Sequence, residues 1–483
     1  MHKHSKRSVF LSLLVFAWLG APCRVFAEQT LDLEHACNTL RHACDFFRKH
    51  VADHGGYLWR YSADLKQREG EKSVEPNTVW VQPPGTPSVG LAYLTAFDAT
   101  GDQYYLDAAT DVGICLVNGQ LRSGGWDYRI DFKPNDRKKY AYRADPKSDT
   151  ARNVTTLDDN TTQEAARFLM RLDKTLEFKN KKINEATQFA LSSLLKAQYP
   201  NGAWPQRYDH FPDPKQFPVK KANYPTSWPR THPKENYRDF YTFNDNAIAD
   251  VIDVMFLAEI VYKDAKYRVA AERAGDFILL AQMPQPQPAW AQQYSAEMQP
   301  VWARRFEPPA VTGGESQGVL RTLLRLYKDT GQKKYIEPIP RAIAYLQSSQ
   351  LSDGRLARFY ELNTNRPLYF TTGYELTYDD SDLPTHYAFK ISSKLESIER
   401  EYQLLLNQKP EDLAKPPSKK KPSLSKSLQK QVQTVISGLD DQGRWTETGQ
   451  LKYQSNNDVN QIVDCRTFVK NVEILSRYIT ASR

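Results

Sequence analysis

The stretch LDDNTTQEAARFLMRLDKTLEFKNKKINEATQFALSSLLKAQYPNGAWPQRY, residues 157–208, decides the fold. It opens on an acidic polar cluster and closes on a Gly-Ala-Trp turn. Between them, FLMRLDKTL and INEATQFALSSLLKAQ carry apolar residues at helical spacing, separated by a charged turn. The same plan appears at three further places. Openings recur at PGTPSVG (84–90), FNDNAI (243–248) and TGGESQG (312–318), and closings at GGWDYR (124–129), PAWAQQY (288–294) and DGRLARFY (353–360). Counterparts return about every 70–90 residues, the mark of a repeat architecture with two helices per unit. TGDQYY (100–105) and TGQKKY (330–335) match in form, with Gly ending one helix and an aromatic beginning the next. Paired helices whose apolar faces need neighbours predict a mainly α fold, an α/α toroid or solenoid. Stacking the units brings their openings, and with them Asp158, Asp159 and Asp245, to one rim.

Outside the repeats, 31–51 reads as an amphipathic helix, and 57–81 is turn-rich with a short strand candidate, TVWVQ. Two long polar loops, 130–156 and 209–239, are rich enough in aromatics to serve as binding walls. The predicted domain plan is a leader at 1–27, a helical body at 28–407, a Pro/Lys-rich linker at 408–426 and a small C-terminal helical segment at 427–483. In that last segment DQGRW echoes the closing turn, which makes it a degenerate further unit.

The leader has a basic start (Lys3, Lys6, Arg7), an apolar run from Val9 to Leu19 and the small-residue site Val25-Phe26-Ala27. This is the pattern of an export signal, predicting a secreted or periplasmic protein that begins near Glu28. No later stretch approaches the ~20 apolar residues that span a bilayer. The four bases of the leader, taken from 65, leave 61 against 57 acids, a net +4. Six of those lysines sit at 415–430, a stretch without an acid. The rest of the chain is therefore not basic, which excludes a nucleic-acid partner argued from charge. A monomer is expected. Cys37 and Cys44 share one helix too far apart to bridge, so any disulfide runs to Cys115 or Cys465; buried free thiols are the alternative.

Asp158 and Asp159 precede a helix, where one acid would suffice as a cap. Two adjacent carboxylates repel and call for a cation, and Asp245 sits in a similar position one unit later. Oxygen ligands without His or Cys point to calcium rather than zinc. Arg304 and Arg305 lie on a short loop leading into TGGES, and Arg358 and Arg366 occupy the matching place in RFYELNTNRP. Several Arg facing several Asp across a cation suit an anionic sugar, since Arg forks bind carboxylates.

In this order TLDDNTTQ, NGAWPQRY, YTFNDNAI, PAWAQQY, ARRFEPPAVTGGES and RFYELNTNRPLYF resemble the pectate lyases of polysaccharide lyase family 10, over about residues 86–390. The resemblance implies an (α/α)3 toroid with a small β-containing flank and a C-terminal helical extension. It implies calcium-dependent β-elimination of polygalacturonate (pectin). Asp158 and Asp245 match the family's calcium-binding aspartates, and Asp159 stands where its Asn is expected. Arg304 matches the arginine of R-x-[YF]-E, taken in the family as the base. Arg358, Arg366, Arg207, Asn244, Trp126 and Trp204 are the expected substrate contacts, the two Trp as subsite floors or else as core. After RPLYF the family often carries a further substrate-binding Arg in a GRDG-like run, and this chain has TTGYELTYDD (371–380). Two other readings share the same residues. An inverting glycoside hydrolase would set Asp158 or Asp159 and Asp245 as acid and base, ~6.5–9.5 Å apart. A non-catalytic pectin-binding protein would retain the groove alone.

Overall fold

The computed structural model describes residues 32–409, 413, 421–454 and 459–483. The proposed leader and most of the Pro/Lys-rich linker lie outside the described residues. Helix α1 (Leu33–Phe46) is continued by a π-turn to Val51. Four helix pairs follow: α2 (Thr86–Thr100) with α3 (Gln103–Asn118), α5 (Thr161–Thr175) with α6 (Lys181–Ala197), α7 (Ala247–Tyr262) with α8 (Ala265–Ala281), and α9 (Gly313–Thr330) with α10 (Ile339–Ser348). A single turn of helix, α4 (Pro134–Arg137), sits in the first long loop. Among the described residues there follow α11 (Leu395–Leu406), α12 (Lys426–Ser437) and α13 (Cys465–Ser482).

The pairs stack side by side as an α/α toroid, with α2 on α5, α5 on α7, α8 on α9 and α9 on α11. Helix α7 is apolar almost all round, AIADVIDVMFLAEIVY, as a helix covered on several sides requires. The joints within pairs follow the sequence. Gly101 and Gly331 take φ of 72° and 69° and return their N–H to the carbonyls of Phe97 and Tyr327. A left-handed C-cap without a Cβ costs little there. The third unit makes the same cap with Lys263 at φ 58°.

Each closing turn fastens one unit to the next. Gln120, Gln198 and Gln282 donate to the carbonyls of Ala186, Ala270 and Pro338, in or just before the second helix of the following pair, at 2.8, 2.8 and 3.3 Å. The turn Trp points inward. Trp126 and Trp204 donate their indole N–H to Leu116 and Leu194, ten residues upstream, at 2.9 and 2.8 Å. Both are fully buried, which removes them from the expected subsite floors: they are core anchors whose single polar atom is satisfied by their own helix. Trp204→Ala is accordingly expected to destabilise the fold by about 3–5 kcal/mol, read by denaturant unfolding.

The C-terminal segment is built into this arrangement. Trp445 donates to Val435 at 2.8 Å, again ten residues upstream, so DQGRW is a closing turn of the same kind. Helix α13 packs against α1, α2 and α12, and strand Gln461–Asp464 pairs antiparallel with Arg60–Ser62. The two ends of the chain thus share one apolar core with α2 and α3. Cys37, Cys44, Cys115 and Cys465 are free thiols, three of them buried in or beside that core.

The β-containing flank is a four-stranded antiparallel sheet ordered Leu376–Thr377, Pro367–Phe370, Phe359–Glu361, Ala310–Thr312. Its own small core includes Trp302, Phe359, Phe370 and Phe389. It stands beside the start of α9 and carries the Arg304 loop. Among the described residues no helix is long and apolar enough to cross a membrane.

Candidate metal and substrate site

The openings before α5 and α7 are copies of one device. In Thr156-Leu-Asp158-Asp159-Asn160 and Thr242-Phe-Asn244-Asp245-Asn246, the hydroxyl of the Thr accepts the N–H two residues on, at 3.2 and 3.0 Å. Asp159 and Asp245 then take nearly identical left-handed angles, φ 49°, ψ 36° and φ 48°, ψ 34°, and Asn160 and Asn246 follow at φ 60° and 57°. Two successive residues in this region are tolerated best by Asp and Asn. The structural register therefore pairs Asp159 with Asp245, and Asp158 with Asn244. Helices α5 and α7 have no side-chain cap, so the aspartates are not spent on capping.

Instead the two devices face one another across the rim. Asp158, Asp159 and Asp245 each place a carboxylate oxygen within 4.8 Å of the others. Asp158 is buried and fully engaged. It accepts from Tyr128 at 2.6 Å, Gln206 at 2.8 Å and Arg207 at 3.3 Å. Among the described residues Asp159 accepts from Gln82 at 2.9 Å and Asp245 from Asn244 at 2.5 Å. Neither has an ion pair among the described residues. Burial, then the charge of Asp158, raises Asp159 to about 6. The same two causes, joined by the charge of Asp159, raise Asp245 to about 7. Three carboxylates held together by side chains that neutralise only one of them are a donor set for a hard divalent cation, all oxygen and with unfilled acceptor positions.

That crowding has a pH signature. A carboxyl raised in the folded state binds its proton more tightly folded than unfolded. Its contribution to stability is full below about pH 4 and is lost as the pH climbs through about 7. In metal-free protein the melting temperature of wild type should fall, relative to Asp245→Asn, as pH rises across that window. Saturating calcium should remove the difference in wild type only; a pH-independent offset between the two proteins would contradict this.

Arg304 lies near enough to Asp159 and Asp245 for its charge to oppose the rise of both. Its guanidinium pairs with the buried Glu307 at 2.7 Å, and its backbone N–H donates to the same carboxylate at 3.0 Å. Burial alone would lower its pKa; Glu307, with Tyr387 and Asp245 behind it, outweighs burial and holds it above the ordinary arginine range. Glu307 also accepts from Tyr387 at 3.0 Å, and Tyr387 in turn receives Arg358 at 3.1 Å.

The remaining expected contacts divide. Arg358 is half-buried, ion-paired to Glu315 at 2.9 Å and bonded to the carbonyl of Ala388 at 2.8 Å. It ties the flank to the start of α9. Arg207 donates to Tyr128 and Asp158, and so orients the Asp158 carboxylate. Asn244 is buried and serves Asp245. Arg366 is exposed and lies 3.5 Å over the ring of Tyr378, away from the aspartates' own hydrogen bonds. Sequence reasoning passed over Gln82, Tyr128, Gln206 and Tyr387. Gln206 was within reach, since it lies inside the quoted NGAWPQRY motif next to Arg207. Its counterpart one unit on is Gln292, buried with neither amide atom partnered among the described residues.

Residues 120–353 match the family model for pectic acid lyase. A comparison with curated proteins gives no match. Among solved structures the chain is similar to a family 10 polysaccharide lyase from Cellvibrio cellulosa, at 22% identity over 66% of this chain and 96% of that one, TM-score 0.46. A mutant of that lyase in complex with trigalacturonic acid gives 22% identity over 66% and 97%, TM-score 0.46. A GH76 α-mannanase from Bacteroides thetaiotaomicron gives 12% over 94% and 97%, TM-score 0.42. The matched segment runs from the first closing turn to the fourth, a little under half of the chain, and contains all three aspartates and Arg304; over this segment the chain is similar to the pectic acid lyase family.

Proposed function

We propose that this is an exported, calcium-dependent pectate lyase that cleaves polygalacturonate by β-elimination, with Asp158, Asp159 and Asp245 as the calcium ligands and Arg304 as the base. The observation that carries the reading is the convergence of three carboxylates from two repeat openings within 4.8 Å, with the half-exposed Arg304, ion-paired to the buried Glu307, nearby. Calcium bound there supplies positive charge to the C6 carboxylate of a galacturonate and so acidifies its C5 proton. Arg304 removes that proton. The C5–H electron pair becomes the C4–C5 double bond, the C4–O4 bond breaks, and O4 leaves with its electrons and takes a proton from water. Because Glu307 favours the charged guanidinium, only the small neutral fraction of Arg304 can act, and the rate should climb with pH through the alkaline range.

The carboxylate spacing disfavours the hydrolase alternative. An inverting pair leaves ~6.5–9.5 Å between carboxyl groups for the attacking water, whereas these three carboxylates share one cluster within 4.8 Å. Digestion of polygalacturonate in heavy-oxygen water separates the two. Elimination gives products without solvent oxygen at the new ends and lighter by one water than hydrolysis products. Incorporation of heavy oxygen would reject the lyase.

A further inference from the structure

A second cleft opens on the far side of the Arg304 loop, with a volume of about 720 Å³. Its walls come from three separate places: Arg230 and Lys234 from the 209–239 loop, Trp302 and Arg305 from the loop before α9, and Tyr374 and Glu375 from the turn between the last two strands of the flank. That turn lies in TTGYELTYDD, the segment standing where the resembled family often carries a substrate-binding Arg.

Two of the three cations in this cleft, Arg305 and Lys234, have no ion pair among the described residues. Arg305 is exposed. Its guanidinium lies flat on Tyr374, 3.4 Å from the ring centroid, so it is positioned without being neutralised. Lys234 is likewise exposed. Arg230 lies 4.3 Å over Trp228 and pairs with Glu361 from one side. Against these three cations the lining offers one acid, Glu375. The 228–234 segment is itself held in place. Trp302 donates to the carbonyl of Pro229 at 2.8 Å, and the His232 ring meets the carbonyl of Ala303 at 2.9 Å. Arg304 and Arg305, adjacent in the chain, thus face two different chambers, the aspartate site and this cleft. A polymer lying across the 304–305 backbone would touch both.

We propose that this cleft is an outlying subsite for the same polyuronate chain, in which Arg305 and Lys234 hold a galacturonate carboxylate and Tyr374 keeps Arg305 in place. The inference rests on the lyase reading for its ligand, but it concerns residues outside the aspartate–Arg304 machinery. A stacked guanidinium loses little freedom on pairing, and its fork matches a carboxylate.

The test is calorimetric binding of hexagalacturonate to the full chain with calcium chelated, comparing wild type with Lys234→Ala/Arg305→Ala and with the milder Lys234→Gln/Arg305→Gln. Loss of one charge-assisted contact predicts binding weaker by about tenfold or more in both variants, with unchanged melting temperatures and unchanged calcium affinity. Affinities within about twofold of wild type in the folded Gln variant would overturn the subsite, as would wild type failing to bind the hexamer. Turnover is scored separately. Wild type that binds through these residues but forms no unsaturated product defeats the lyase reading and leaves the subsite standing. Wild type that forms product while the Gln variant binds normally defeats the subsite alone.

Discussion

Arg304→Ala should lower kcat on polygalacturonate by about 10²–10⁴-fold, the usual contribution of a positioned base, while calcium affinity stays near that of wild type. The Arg304 guanidinium is partly open to solvent and its one strong partner is Glu307, whose carboxylate also accepts from Tyr387 and the Arg304 backbone. The same pairing gives a sharper test than deletion. With Glu307 holding Arg304 charged, the neutral form grows about tenfold per pH unit, so log kcat should rise with pH at a slope near one below the arginine pKa. Glu307→Gln removes the charge and keeps an oxygen for the backbone N–H. It should shift the rising limb to lower pH. A Glu307→Gln profile superimposable on wild type would show that Arg304 does not carry the proton.

The second large effect is expected at Asp158→Asn. Its carboxylate accepts from Tyr128, Gln206 and Arg207, so the substitution takes one negative charge from the cation site and leaves Arg207 beside a neutral partner. A unit charge lost about 4 Å from a doubly charged cation removes about 8 kcal/mol of gross attraction at an effective dielectric of 20; relief of the repulsion among the three carboxylates returns part of it, and the net loss of calcium affinity is expected at about a thousandfold or more. Asp245→Asn should weaken calcium less in acid, where the wild-type carboxyl, raised to about 7, is already protonated. Calcium titration at two pH values reads both effects, and equal losses at acid and neutral pH would contradict the raised Asp245.

The helical repeat was legible because its signals are local. Helix periodicity, the glycine caps at Gly101 and Gly331 and the closing turns each lie within a few residues of sequence. The aspartate cluster was legible for the same reason: TLDDN and TFNDN are visibly related strings. Their register was not, because Asp158 and Asp245 look alike on paper while the backbone pairs Asp159 with Asp245. The partners that tune the cluster were hidden by distance along the chain. Gln82 comes from just beyond a strand 77 residues before Asp159, and Tyr128 from the previous unit's closing turn. Trp126 and Trp204 were ambiguous, since an aromatic after a turn serves a sugar or a core equally well. The recurring ten-residue step from carbonyl to indole, repeated at Trp445, was the available sign that they face inward. The partner of Arg358 was hidden in the same way: Glu315 sits 43 residues earlier, in the opening of the same unit.

The most direct test of the account is the ultraviolet absorbance of the unsaturated product formed from polygalacturonate at alkaline pH by the purified full chain, with calcium added and with calcium chelated. Absorbance should rise with calcium, stop on chelation and return when calcium is restored. No rise with calcium across the alkaline range, or an equal rise with calcium removed, would contradict a calcium-dependent lyase centred on Asp158, Asp159, Asp245 and Arg304.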